Sequence, residues 1–185
     1  MDSFEQLKAD CSGCTRCPLC EGRTNLVFGT GSESSKIMFI GEGPGEQEDL
    51  KGEPFVGPAG KLLDTMLYLI GLNRSEVYIA NIVKCRPPHN RDPKPEEENA
   101  CAEWLERQIA LIDPAIIVCL GRIAAKRLIS EDFRITQEHG QWFDLGGRRI
   151  IATYHPSALL RDESKRPDAF SDFREIRAVL RQLEQ

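Results

Sequence analysis

Four short apolar runs punctuate the chain: Lys36–Gly41, Val77–Ile82, Ala115–Leu120 and Arg149–Tyr154. Each is rich in β-branched residues and nearly continuous in hydrophobicity, the pattern of strands covered on both faces. Between them the period lengthens. In Ala59–Ile70 the apolar side chains fall at 59, 62, 63, 66, 67 and 70, which is one helical stripe. Pro95–Ile112 and Gly121–Ile129 predict further helices. Ser171–Leu183 predicts a last one, with Phe173, Ile176, Val179, Leu180 and Leu183 on one face. Strands alternating with helices predict an α/β domain spanning residues 1–185: a three-layer α/β/α sandwich around a parallel sheet with right-handed crossovers. No repeat, linker or low-complexity stretch interrupts the pattern.

Ligands of such sheets bind at the carboxyl ends of the strands. Three polar segments fall there. Gly41–Asp49 (GEGPGEQED) follows the first strand, Asn81 ends the second, and His155 follows the last. The glycines of the first loop allow close backbone approach to a ligand. Its carboxylates are wrong for a phosphate cradle, and no Gly-Lys-Ser/Thr closes it, which argues against a nucleotide-binding P-loop. They suit activation of water or stabilisation of a developing cation, and an ordinary acidic turn has the same composition. Phe55, among glycines and prolines, is either a cap on the core or a stacking platform for a flat ring. Asn81 is either a turn residue or a reader of a base edge, because its amide sets a donor beside an acceptor. His155 at the sheet edge is either a satisfied loop histidine or a functional one.

Composition adds three constraints. With 41% hydrophobic and 29% charged residues, the chain has the profile of a soluble globular protein. No apolar run reaches membrane-spanning length, and the polar start Met1–Asp10 does not read as a signal peptide, so a cytoplasmic protein is expected, with no membrane partner. A net charge of −5 argues against a broad electrostatic grip on nucleic acid. Basic residues are nevertheless grouped, at Lys84, Arg86, Arg91 and Lys94 and again at Arg161, Lys165 and Arg166. The seven cysteines point to metal or redox chemistry in a reducing compartment. Cys11, Cys14, Cys17 and Cys20 recur at three-residue spacing, while Cys85 and Cys101 lie far downstream. Two thiolates from one Cys-x-x-Cys turn, completed by two distant ones, suit either Zn²⁺ or an iron–sulfur cluster. Cys119, inside a strand, reads as a small core residue.

Four segments together resemble the family 4, iron–sulfur-containing uracil-DNA glycosylases. They are Cys14-Thr-Arg-Cys17 with Glu21-Gly-Arg-Thr24; Gly41-Glu-Gly-Pro-Gly45 with Pro54-Phe-Val-Gly57; Asn81-Ile-Val-Lys-Cys-Arg-Pro-Pro88; and His155-Pro-Ser-Ala-Leu-Leu160. The resemblance runs from about Cys14 to the last helix. It implies a central four-stranded parallel sheet and a monomer that hydrolyses the N-glycosidic bond of uracil in DNA, starting base excision repair. It implies a [4Fe–4S] cluster on Cys14, Cys17, Cys85 and Cys101, with Cys11 and Cys20 outside the pattern. The partners it implies are uracil-containing DNA, single- or double-stranded, and a replication clamp as a candidate.

Residue by residue, Gly41, Glu42 and Gly43 would line the uracil, Phe55 would stack on it, and Asn81 would pair with its N3–H and O4. His155 would face O2. Gly43 stands where the superfamily pattern has a water-activating Asp, so Glu42 is the expected catalytic carboxylate, ahead of Glu48 and Asp49. Gly45 stands where the pattern has a thymine-excluding Tyr, and Glu48 is expected to fill that space. Arg86, Arg91 and Arg161 would meet phosphates. Two other readings remain. A relative could trap uracil-DNA covalently through a histidine; no Arg/Lys-rich insertion follows Asn81, but His89 is present. An iron–sulfur or zinc protein could also have no DNA role.

Overall fold

The four apolar runs form the centre of one sheet. The computed structural model describes residues 2–185. Its strands are β1 (Thr30–Gly31), β2 (Ile37–Gly41), β3 (Tyr78–Asn81), β4 (Ile116–Leu120), β5 (Trp142–Leu145) and β6 (Arg148–Thr153). They lie in the order β1-β3-β2-β4-β6-β5. The inner four are mutually parallel, as their two-sided burial requires. The expected four-stranded sheet is thus extended by one short antiparallel strand at each edge. β5 and β6 form a hairpin around Gly146-Gly147, whose φ values of 58° and 87° are those of a primed two-residue turn.

The helices are α1 (Phe4–Ser12), α2 (Leu19–Gly22), α3 (Glu46–Lys51), α4 (Pro58–Leu69), α5 (Pro95–Ile112), α6 (Arg122–Leu128), α7 (Ile135–Glu138), α8 (Pro156–Arg161) and α9 (Arg166–Leu183). α9 begins earlier than its apolar stripe because Pro167 sits in its first turn, where a missing N–H costs nothing. α1, which the sequence pattern did not predict, is capped by the Ser3 hydroxyl on the Gln6 N–H at 3.1 Å.

Strand side chains alternate between two cores. Met38, Ile40, Ala80, Ile117, Cys119 and Ala152 meet Leu7, Trp104, Leu105 and Ala124 of α1, α5 and α6. Ile37, Phe39, Ile79, Val118 and Ile151 meet Leu63, Met66, Phe173 and Ile176 of α4 and α9. Burying each large side chain contributes about 1.5–3 kcal/mol. The parallel core aligns the carboxyl ends of β2, β3, β4 and β6 at one edge, to which the three polar segments are delivered. No described helix is long and apolar enough to cross a membrane.

Candidate active site and cysteine pocket

Gly41 and Asn81 are register partners at the ends of β2 and β3. A Cβ on Gly41 would lie 2.6 Å from Asn81 Oδ1 and 2.6 Å from the Phe55 ring, so only glycine allows the amide and the ring to converge. Asn81 is 2% exposed, and its Oδ1 is buried without a hydrogen-bond partner. That is not how a capping residue sits. A buried acceptor left unpaired costs about 1–3 kcal/mol, which a ligand donor would recover. The Asn81 carbonyl accepts from Lys84 Nζ at 3.1 Å, and Lys84 also donates to Gln108 Oε1 at 2.6 Å. Lys84 therefore leaves the basic surface group expected from sequence. It is fully buried, and desolvation pushes its ammonium down to about 8.

Phe55 has a φ of 52°, a left-handed conformation rare for an aromatic. Arg74 holds it there, donating to the carbonyls of Phe55 at 3.0 Å and Pro54 at 2.7 Å. Gly60 is equally involved, because a Cβ at that position would lie 1.9 Å from the Phe55 carbonyl oxygen. The Phe55 ring stacks on His155, with centroids 5.4 Å apart and planes at 30°. His155 Nδ1 accepts from the Ser157 N–H at 3.0 Å and lies 2.7 Å from the Ser157 hydroxyl. An accepting Nδ1 leaves the proton on Nε2. Burial, with Arg161 nearby, pushes His155 down to about 4, so the ring is a neutral donor at ordinary pH.

Two clefts of about 750 and 880 Å³, both open to solvent, meet at Glu42, Asn90, His155, Ser157 and Arg161. Glu42 Oε1 is buried and unpartnered. Burial and the neighbouring Asp92 raise Glu42 to about 7, partly offset by Arg122. Gly43 offers no alternative, since a Cβ there would sit 2.7 Å from Val83 Cγ2. Glu48 is pinned by backbone donors: Gly45 N–H at 3.1 Å to Oε1, and Val56 N–H at 3.1 Å and Gly57 N–H at 2.8 Å to Oε2. Its Oε1 lies 2.8 Å from where a Gly45 Cβ would be, so the carboxylate stands in the space that a side chain at 45 would enter.

The three arginines expected at phosphates differ in their freedom. Arg161 lines both clefts. Arg91 borders one of them, but its guanidinium is bidentate to Glu97 at 2.8 and 3.0 Å. Arg86 Nε donates to Asn90 Oδ1 at 2.8 Å. His89 lines a separate cleft with Pro18, Gly22 and Arg86, away from Glu42. Sequence reasoning missed Arg74, Gly60, Asp92 and Arg122. Their partners are distant in the chain, and no motif marks them.

Beyond the end of β3, Cys14, Cys17, Cys20, Cys85 and Cys101 line a small common void. Among the described residues, no three Cys, His, Asp or Glu side chains converge closely enough to hold a single metal ion. Two thiols receive N–H donors: Cys14 Sγ from Trp104 Nε1 at 3.3 Å and Cys85 Sγ from Arg23 Nη1 at 3.4 Å. Cys11 is buried in α1 and does not line the void. Cys119 is buried in β4, where desolvation raises its thiol far above the usual range.

Comparison with known proteins defines the class. Residues 28–181 match the uracil DNA glycosylase superfamily, and the chain belongs to it. Within that superfamily the chain is similar to proteins named type-4 uracil-DNA glycosylase. That of Archaeoglobus fulgidus is 46% identical over 184 residues, covering 95% of this chain and 92% of the relative. That of Thermotoga maritima is 50% identical over 153 residues, covering 82% and 80%. A type-5 uracil-DNA glycosylase of Thermus thermophilus is 34% identical, over 71% of this chain.

Proposed function

We propose that the protein is a monofunctional uracil-DNA glycosylase that excises uracil from DNA by hydrolysis. The observation that carries this reading is the unpartnered Asn81 amide oxygen, buried beside Gly41 at the strand edge. Uracil presents N3–H and O4 side by side, a donor and an acceptor that a fixed amide matches. Cytosine reverses both. The nucleotide must leave the helix to reach this edge, and a weakened base pair lowers that cost. Phe55 supplies the aromatic face for the flipped base. Glu48, rigidly held, fills the space that the C5 methyl of thymine would need.

Cleavage of the C1′–N1 bond leaves the electron pair on uracil and positive charge on the sugar. His155, neutral with its proton on Nε2, donates a hydrogen bond towards O2, where the negative charge accumulates. Glu42, when ionised, favours the sugar cation and orients the water that adds to C1′. The added water gives up one proton to solvent and the uracil anion takes one up, giving free uracil and an abasic site. Arg161 grips a flanking phosphate. His89, in a different cleft, is not placed to trap the abasic sugar.

Cys14, Cys17, Cys85 and Cys101 would hold a [4Fe–4S] cluster. Thiols that line one pocket without converging on a point suit several metal atoms better than one, and the N–H donors on Cys14 and Cys85 orient those two sulfurs. The cluster would serve as a structural pin between the segment joining α1 to α2, the Cys85 segment and α5, with no electron transfer to the base. Cys20 borders the same void without belonging to the expected ligand set. The test is incubation of the purified protein with a uracil-containing oligonucleotide, followed by alkaline cleavage. Strand scission at uracil, with free base and no cross-linked species on a denaturing gel, is expected; an intact strand refutes the reading.

A further inference from the structure

Glu42 shares its cleft with two residues that no uracil-recognition motif includes. Asp92 comes from the loop before α5, and Arg122 opens α6. Arg122 Nη2 grips Asp92 Oδ2 at 2.7 Å, and Arg91 Nη1 donates to the Asp92 carbonyl at 3.0 Å. The Asp92 carboxylate, so held, lines the same cleft as the Glu42 carboxyl, and its charge helps to raise Glu42. No donor supports the inner oxygen of Glu42. Two carboxyl groups that share one cleft wall, one of them with a buried oxygen, do not both ionise readily.

We propose that Asp92, held by Arg122, is a positioning residue for the proton of Glu42: the free enzyme keeps one proton between the two carboxyl groups, on the Glu42 side, and only molecules that have lost it cleave. The inference rests on the reading of Glu42 as the reacting carboxylate. Asp92 carries the charge of the pair because it has Arg122 and water, its side chain being 52% exposed. Glu42 has neither. The directions agree: Asp92 is held below the ordinary aspartate range by Arg122, while Glu42 rises to about 7. The other charged groups around Glu42 do not reverse this. Glu98 of α5 adds to the rise. Glu48 of α3 lines the neighbouring cleft but is spent on backbone donors. His155 is neutral, and Arg161 of α8 stands at the cleft mouth as a second cation after Arg122.

The experiment is the pH dependence of single-turnover uracil release from a uracil-containing oligonucleotide by wild type, Asp92→Asn and Arg122→Gln. Wild-type activity should fall on the acid side of about pH 7. Asp92→Asn removes the like charge, so its acid limb should move down by about one pH unit or more. Arg122→Gln removes the cation, so its limb should move up. The same opposite displacements should be read without turnover, from ¹³C NMR titration of the Glu42 carboxyl in each variant. A merely structural pair would lower the rate at every pH and leave both limbs where they are, which overturns the inference. Absence of uracil release by the wild type at any pH would instead overturn the glycosylase reading, while the NMR titration still decides whether the proton is shared.

Discussion

Asn81→Ala separates recognition from stability. In the free protein Asn81 Oδ1 bonds to nothing. Removing it deletes no partner there and relieves a buried unpaired acceptor, so the variant should unfold within about 1 kcal/mol of wild type. In the complex the position changes sign. Uracil N3–H and O4 would enter a dry pocket with no partner, each at a cost of about 1–3 kcal/mol. The sum, roughly 2–6 kcal/mol, converts to a loss of about 30-fold to about 3 × 10⁴-fold in excision at about 1.36 kcal/mol per decade. Binding to undamaged DNA, which never presents a base to this edge, should change little. Asn81→Asp should narrow the preference for uracil over cytosine, because a carboxylate no longer donates to O4 but still accepts from the exocyclic amine of cytosine. The assay is single-turnover release of uracil and of cytosine from matched oligonucleotides, with thermal unfolding of each variant. An Asn81→Ala enzyme that excises uracil at the wild-type rate would remove the amide from the recognition scheme. A large loss of stability would show that the Asn81 side chain serves the fold.

His155 predicts a pH dependence of stability. Its folded value of about 4 lies below the ordinary 6.5, so across that window the unfolded chain binds a proton that the folded chain refuses. Stability should therefore fall as pH drops from about 6.5 towards about 4, and His155→Gln should flatten that part of the denaturation profile. Protein prepared anaerobically should be brown, with about four iron atoms per chain. Cys85→Ser or Cys101→Ser should bleach it while Cys119→Ser keeps the colour, and stoichiometric zinc without iron would refute this assignment. Arg161→Gln should weaken binding to all DNA sequences alike and flatten the salt dependence of log affinity by about one unit. Arg91→Gln should also lower the melting temperature, because it strands Glu97, whose side chain is 4% exposed, without its bidentate partner.

The parallel core was legible because a strand buried on both faces must be apolar throughout, and Ile37–Gly41 or Ile116–Leu120 satisfies no other pattern as well. The edge strands were not. Thr30–Gly31 is too short to show a period, and Trp142–Leu145 mixes exposed Asp144 with apolar neighbours. Its one signal was Gly146-Gly147, a hairpin turn. At the site, Gly41, Asn81 and His155 could be placed together because the topology delivers strand ends to one edge. Lys84 could not be placed correctly. Sequence shows its charge but not the Gln108 and Asn81 oxygens that make burial tolerable. The same limit hid Asp92 with Arg122 and Arg74 with Phe55, since side-chain contacts across distant segments leave no periodic trace.

The contact between Gly60 and the Phe55 carbonyl has a consequence for how such a site can change over generations. A methyl group at 60 would collide with the main chain of the residue that presents the aromatic face, at 1.9 Å. Position 60 therefore cannot drift while Phe55 keeps its left-handed backbone, and α4 cannot gain helix propensity there by the usual exchange of glycine for alanine. Release would have to come from residue 55, by a change that lets its carbonyl turn away and gives up the stacking face in the same step. The two positions form one heritable unit: each is a barrier to variation at the other, and a lineage that lost the aromatic would be free to lose the glycine next.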